Sequence, residues 1–531
     1  MKILTAEEMG AADRRSVEMA VPVSVLMENA GAAVARFCLR RFAGDGLVVV
    51  VCGKGNNGGD GMVAARLMAM AKRRVRVVLL GTFSDVKGDA AVALDAARGQ
   101  VNFIAVGDEA ALKESLEGAT LIVDAVVGTG FKPPLRGLAA SARDMIAGMN
   151  VPVVAVDLPS GWDADSLALN EADAFRADAV VTFAAPKRAH VFGNLTAGKV
   201  FGPVVVAGSG TPDGAMVSDA GMTWAGTAKA LAEKPRGVDG NKGKFGHVLI
   251  LGGALGKAGA PSMASLAAMR AGAGLVTAAV PREVLETVAA VAPELMLTPL
   301  VESREGGLAM EQLAEDVLGK LLKGISVVGI GPGLGQEGTT PEFVREFVRL
   351  VSLPMVMDAD ALNAFAGRGD LLKQYAKGRT VVLTPHPGEM GRLVGMTVKE
   401  VEADRVGLAR RFATENGVTL VLKGWRTLIA HPDGRVAVNT TGNPSMAKGG
   451  SGDILTGIVA AMLAQYKDDV AGAVEAAVFL HGLAGDFACL AQDEHTVLAT
   501  DTVAHLFEAF KARVVDEDGL TWICGLAGRS R

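Results

Sequence analysis

The sequence predicts an α/β protein built from two doubly wound domains. Three observations carry that expectation. The chain has 531 residues, more than a single hydrophobic core ordinarily serves. Short runs rich in Val and Ile alternate with helix-length segments of small residues, as βαβ units require. The alternation breaks once, around 208–240, in stretches rich in Gly, Asp and Lys, and then resumes.

In the first half, strands are expected at 47–52 (LVVVVC), 75–80, 101–106, 121–126, 153–157, 178–183 and 203–207. Continuous apolar runs suit strands covered on both faces. Helices are expected at 24–42, 59–72 and 138–149 between them, giving a mostly parallel sheet. In the second half the strands fall at 246–251, 274–280, 325–330, 354–357, 380–383 and 418–422, and the last strong helix begins in "GGSGDILTGIVAAMLA". The expected domains are 1–215 and 225–512, followed by a tail, 513–531, with no assigned role. No register of repeated sequence relates the halves.

Composition narrows the class. Half the residues are hydrophobic and 21% are charged, so large cores are available. The net charge of -5 offers no basic excess for a phosphate backbone, which argues against nucleic acid as a partner. Cys38, Cys52, Cys489 and Cys524 are scattered, without a C-x-x-C pair, so neither a disulfide scaffold nor zinc is expected. The opening "MKILTAEEMG" has early acids and no apolar core of a signal peptide. The most apolar run stops at Gln465, too short for a bilayer. A soluble, cytoplasmic protein is expected.

The strongest chemical signal is Asn443–Asp453, "NPSMAKGGSGD", leading into an apolar helix. Gly449, Gly450 and Gly452 let backbone amides approach a phosphate, and the helix start adds free N–H groups. Asp453 stands where a carboxylate can take a proton from an attacking hydroxyl. The plainer alternative is that Asp453 only caps the helix. His386, between two prolines in "TPHPGEM", has its own plain alternative, a hydrogen bond to a turn.

In the first half, "GKGNNGGDG" contains G-x-G-x-x-G at Gly53, Gly55 and Gly58. A dinucleotide fingerprint also needs a ribose-binding acid at the end of the second strand, and Val78–Thr82 contain none. Lys54 makes no P-loop, because no G-K-[ST] follows. Asp124 and Asp157 end apolar strands, where a carboxylate is costly unless paired, ligated or solvated. Capping a turn is the ordinary fate of such residues.

The GxGD segment resembles the ribokinase-like superfamily, in which that motif forms an anion hole and supplies a base. Together with "GGALGKAGAPSMAS" (252–265), "GIGPGLG" (329–335), "MDADALN" (357–363), "LTPHPGEM" (383–390) and "LKGWRT" (422–427), it resembles the NAD(P)H-hydrate dehydratase family over nearly all of 240–510. The resemblance implies ADP, with Mg²⁺, as donor of a phosphoryl group to the C6 hydroxyl of a hydrated nicotinamide. Phosphate then leaves, pushed by the ring nitrogen. Asp453 is the implied base. Gly449, Gly450, Ser451, Gly452 and Lys423, Gly424, Trp425, Arg426, Thr427 are the implied ADP contacts. Ala260, Gly333 and His386 match hydrate contacts.

"GNNGGDG", "DAVVGTGFKPPLRG" and "VDLPSGWDAD" resemble the NAD(P)H-hydrate epimerase family over roughly 1–210. By that resemblance Asn56, Asn57, Gly58, Gly59 and Asp60, with Gly128, Thr129, Gly130, Phe131, Lys132, Pro133 and Pro134, contact the hydrate. Asp157 binds it and does acid/base work at C6. Asn57, Asp124 and Ser160 hold K⁺, for which oxygen-only donors are suited. The fold implied is an N-terminal Rossmann-like three-layer sandwich and a C-terminal ribokinase-like domain. The function implied is repair of NADHX and NADPHX, the hydrates of NADH and NADPH, by a homo-oligomer. Two alternatives stand beside it: an ATP-dependent kinase of a small hydroxymethyl heterocycle, and a nucleotide-sensing scaffold.

Overall fold

A computed structural model of the chain describes residues 1–196, 201–304 and 307–526. Two compact units form: Met1–Met222 together with the segment from Arg513 on, and Thr223–Ala512.

The first unit begins with helices α1 (Ala6–Glu18) and α2 (Val23–Arg41). A capping box starts α1: the Thr5 hydroxyl accepts from the Glu8 N–H, and the Glu8 carboxylate accepts from the Thr5 N–H. The strands are β1 (Leu47–Cys52), β2 (Arg74–Leu80), β3 (Asn102–Val106), β4 (Ala119–Ala125), β5 (Val153–Val156), β6 (Ala179–Phe183) and β7 (Val204–Ala207). Their order is β7-β6-β5-β4-β1-β2-β3, parallel throughout. Side chains along β1 alternate between two cores. Val48, Val50 and Cys52 meet Met27 and Phe37 of α2 and Met62 and Met68 of α3 (Asn56–Met70). Val49 and Val51 meet Leu112, Leu116, Ala142 and Ile146 on the opposite face. Burying each such valine contributes about 1.5–3 kcal/mol, which is why the run carries no polar residue.

The segment set apart as a tail is part of this unit. Its strand Thr521–Cys524 pairs antiparallel with β7. Trp522 packs 6.5 Å from Phe37, lies under the Arg41 guanidinium at 5.2 Å, and donates its indole N–H to Asp516 at 2.8 Å. The sequence hid this strand because it is four residues long and its partner precedes the whole second unit.

The second unit contains β8 (Met222–Trp224), β9 (His247–Leu251), β10 (Leu275–Pro281), β11 (Met296–Leu300), β12 (Val327–Ile330), β13 (Met355–Met357), β14 (Val381–Leu383), β15 (Thr419–Leu422), β16 (Leu428–Ala430) and β17 (Val436–Val438). The order is β11-β10-β9-β12-β13-β14-β15-β16-β17-β8. Neighbours are parallel from β11 to β15, and an antiparallel hairpin follows. The 208–240 region is no structureless linker: it carries β8 and the helical segments Ala225–Lys229 and Ala230–Glu233. Trp224 there is buried and donates to the Thr440 hydroxyl at 2.8 Å. The helix Val470–Ala491 is long and apolar enough to cross a bilayer, and 94% of its apolar window is packed inside this unit.

Each sheet reverses its strand order once, between β1 and β4 in the first unit and between β9 and β12 in the second. Loops diverge at such points and leave a crevice for ligands.

Candidate active sites

In the first unit, the loops after β1 and β4 meet at the reversal. A Cβ on Gly53 would lie 2.0 Å from the Val126 carbonyl oxygen, so only glycine allows the approach. The expected glycine loop is mostly helix: α3 starts at Asn56, and Gly58 packs against the Gly53 carbonyl, where a Cβ would come within 2.0 Å. This first turn presents Asn56, Asn57 and Asp60 to a cavity of about 960 Å³. Gly128, Thr129, Gly130, Phe131 and Asp157 also line it. Gly58 and Gly59 do not line it; they are buried under the helix packing. Lys132, Pro133 and Pro134 are not among its lining residues either, and Lys132 pairs with Asp163 at 2.8 Å and Asp165 at 3.2 Å.

Asp157 follows β5 with φ of +66°, a conformation that costs a non-glycine residue energy. Its carboxylate is saturated with donors. Oδ1 accepts from the Thr182 hydroxyl and the Lys187 ammonium, each at 2.8 Å. Oδ2 accepts from the Thr129 N–H at 2.8 Å and the Thr129 hydroxyl at 2.5 Å. Burial alone would raise its pKa, but the Lys187 charge and these hydrogen bonds hold it well below the carboxylate range. His190 accepts the Lys187 N–H on Nδ1 and so donates from Nε2 to the Asp157 carbonyl at 2.6 Å. Burial pushes the His190 imidazole down to about 4, so it is neutral. The expectation that Asp157 exchanges a proton meets an anion that does not readily accept one.

Behind the cavity, Asp124 is fully buried. The Ser160 hydroxyl donates to Oδ1 at 2.6 Å and the Ser160 N–H to Oδ2 at 2.7 Å. Burial raises Asp124 to about 6, and no Lys or Arg pairs with it among the described residues. Asn57 leaves a buried Nδ2 without a partner. A carboxylate, an amide and a hydroxyl offer oxygen atoms of the kind a hard cation takes. Among the described residues no three His, Cys, Asp or Glu group as zinc would require.

In the second unit, the loops after β9 and β12 meet in the same way. A Cβ on Gly252 would come 2.4 Å from the Pro332 carbonyl oxygen. Gly333, at φ of +67°, packs against Lys257 and Ala260, so Ala260 and Gly333 are neighbours. The helix Ser451–Gln465 opens with Gly450 as N-cap at φ of +96°. Asp453 lies in its first turn and is not the cap, which removes the plain reading of that residue. No described residue donates a hydrogen bond to the Asp453 carboxyl. Burial, and then the Asp358 charge, push it up to about 7, against the Lys423 ammonium.

Lys423 follows β15 and reaches the helix start: a Cβ on Gly452 would lie 3.1 Å from its Nζ. Asp358, buried after β13, accepts from Lys423 at 2.9 Å and from the Thr456 hydroxyl at 2.9 Å. Burial opposes the Lys423 charge, but Asp358 and Glu389 keep its pKa raised. Beyond Lys423, Gly424 at φ of +138° turns the chain, and Thr427 donates to its carbonyl at 3.2 Å. Arg426 stacks 4.2 Å over the half-exposed Trp425 ring. His386 does make the turn hydrogen bonds: its Nδ1 accepts from the Gly388 N–H at 3.0 Å and the Glu389 N–H at 3.3 Å, capping the helix Pro387–Val394. Its Nε2 therefore carries the proton of the neutral ring.

Two family models match this chain: one described as YjeF-related protein N-terminus over residues 23–189, and one described as NAD(P)H-hydrate dehydratase over residues 248–509. The bifunctional NAD(P)H-hydrate repair enzyme of Moorella thermoacetica is 40% identical over 540 residues, covering 100% of both chains. The chain belongs to the bifunctional NAD(P)H-hydrate repair family. The family's Escherichia coli member is 34% identical, over 97% of this chain and 95% of that one. A crystal structure of the ADP/ATP-dependent NAD(P)H-hydrate dehydratase of Bacillus subtilis, co-crystallised with ATP and Mg²⁺, aligns with a TM-score of 0.45 at 31% identity, over 54% of this chain and 98% of that one.

Several residues of these two clusters carried no sequence signal. Lys187, Thr182 and His190 sit in "VTFAAPKRAH", which has no recognisable spacing, and reach Asp157 only through the fold. Asp358 and Glu389 lay inside quoted motifs, and buried acids beside a phosphate loop were a usable signal. Asp13 and Met9 line the first cavity from α1, which lies outside the matched region.

Proposed function

We propose that this chain repairs hydrated NADH and NADPH, interconverting the R and S hydrates in the first unit and dehydrating the S hydrate at the expense of ADP in the second. The observation that carries it is full-length identity to the repair family, joined to an unpaired Asp453 poised near neutrality at a phosphate-binding helix start.

In the second unit, Asp453 takes the proton of the C6 hydroxyl. The hydroxyl oxygen attacks the β-phosphoryl group of ADP, releasing AMP. Backbone amides of Gly449, Gly450, Ser451 and Gly452, with the Lys423 ammonium, receive the transferred charge. The ring nitrogen then expels phosphate, and loss of a proton from C5 restores the reduced ring. ADP enters with Mg²⁺ on its phosphates, and the Gly424–Thr427 turn with its exposed Trp425 supplies the nucleotide contacts. Ala260, Gly333 and the Nε2 side of His386 face the hydrate. In the first unit, the Asn56–Asp60 turn and the Gly128–Phe131 loop hold the hydrate over Asp157. Asn57, Asp124 and Ser160 hold K⁺, whose charge offsets the buried Asp124. Four buried cysteines outside any disulfide suit the cytoplasm.

The test is restoration of NADH absorbance from a mixture of both epimers. With ADP, all of the mixture should be consumed; without it, only epimer exchange should occur. Dependence on ATP with release of a stable phosphorylated product would establish the kinase alternative.

A further inference from the structure

Three carboxyl groups line the first unit's cavity: Asp157, Asp60 from α3 and Asp13 from α1. The exposed Lys54, paired with Asp85 at 2.8 Å, and the exposed Arg136 also line it; among the described residues Lys187 is the buried ammonium that serves these acids, and of the three it bonds only Asp157, at 2.8 Å. Asp157 also takes its three other donors from Thr129 and Thr182. No described residue donates a hydrogen bond to Asp60. The donors are thus spent on one acid, and the second faces the same space without any. Two carboxyl groups in such unequal surroundings divide into an anion and a neutral acid.

We propose that Asp60 is the proton-transferring catalytic residue of the epimerase site, and that Asp157 is the fixed anion beside the reacting ring. This rests on the epimerase reading above. Burial raises the Asp60 pKa well above the carboxylate range; the Asp157 and Asp13 charges add to the rise, and Lys187 opposes it. Without a donor and beside the Asp157 anion, Asp60 is the acid of the pair and enters the reaction holding the proton. It gives its proton to the C6 hydroxyl as the C6–O bond breaks. The lone pair of the ring nitrogen forms the N=C6 bond, and water departs. Asp157 stays ionised beside the cationic ring. A water adds to the opposite face, a new C6–O bond forms, and the N=C6 pair returns to nitrogen. The proton shed by that water returns to Asp60 through water in the cavity. Nothing is oxidised or consumed, and each inversion exchanges the C6 oxygen with solvent.

The experiment uses the full chain, the pure R hydrate, no ADP, and water enriched in oxygen-18, with correction for the uncatalysed rate. The wild-type chain should place one heavy oxygen at C6 per inversion, and its kcat should fall as pH rises through the Asp60 pKa. Asp60→Asn should lower kcat by about 100-fold or more, with little change in KM, and remove that alkaline fall. Asp13→Asn should move the fall to lower pH, because a like charge is gone, and an unmoved fall overturns the proposal. Inversion that retains the original oxygen, or an Asp60→Asn chain within threefold of wild type, overturns the proposal. If Asp60→Asn does not fold, the isotope and pH results on the wild type and Asp13→Asn decide. A wild-type chain that cannot interconvert the epimers at all overturns the epimerase reading itself, a separate outcome.

Discussion

Asp157 and Asp453 end in opposite states. Asp157 follows the parallel strand β5 of the first sheet, and Asp453 stands at a helix start reached by Asp358 and Lys423, which follow β13 and β15 of the second. Asp157 is wrapped by an ammonium, two hydroxyls and an amide, and is locked as an anion. Asp453 has no hydrogen-bond donor among the described residues, faces Asp358, and is pushed up to about 7. Residue type and position in the sheet do not set the role of a carboxylate; the donors that reach it do. One acid can anchor a ring, and the other can take a proton at neutral pH.

The strongest way to break this contrast is Asp453→Asn. Loss of a general base should lower ADP-dependent dehydration of the S hydrate by about 10²–10⁴-fold, measured as NADH absorbance, while epimer exchange continues. Dehydration that survives removes Asp453 from its role. Next in size is Lys187→Met. It strands a buried carboxylate, a loss of about 3–5 kcal/mol, read as a lower melting temperature of the first unit. An unchanged melt would mean that Thr129 and Thr182 hold Asp157 by themselves. Asp358→Asn sharpens the other side. The raised pKa of Asp453 comes first from burial and then from Asp358. A base works when ionised, so dehydration should rise with pH through about 7. Without the Asp358 charge that rise should move about one unit lower. The smallest effect concerns K⁺. Exchanging Li⁺ for K⁺ should stabilise the first unit by about 1 kcal/mol when the ion is a few-fold above its Kd, and Asn57→Ala should abolish the increment.

The sheets and Asp453 were legible in the sequence, the donors that set Asp157 apart were not, and both have physical causes. The run Leu47–Cys52 was readable as β1 because a strand buried on both faces tolerates no polar residue. Asp453 was readable because glycines before an apolar helix are costly without a ligand to approach. The helix capacity of Asn56–Gly59 was hidden, since asparagine and glycine read as loop and only contacts such as Gly58 against Gly53 favour the turn. The hairpin of β16 and β17 has three residues per strand, below any periodicity. Lys187 and Asp13 come to Asp157 and Asp60 from segments distant in sequence. Nothing local to either residue encodes that meeting.

The strand Thr521–Cys524 has a consequence for how the molecule is made. The ribosome finishes the entire second unit before it delivers the residues that cover β7. Until then Val204–Ala207 presents open backbone groups, the kind of edge that recruits other chains. The first unit must therefore wait, nearly folded, through the synthesis of its neighbour, and the nascent chain is at its most adhesive during that interval. A gene cut after residue 222 would make that interval permanent.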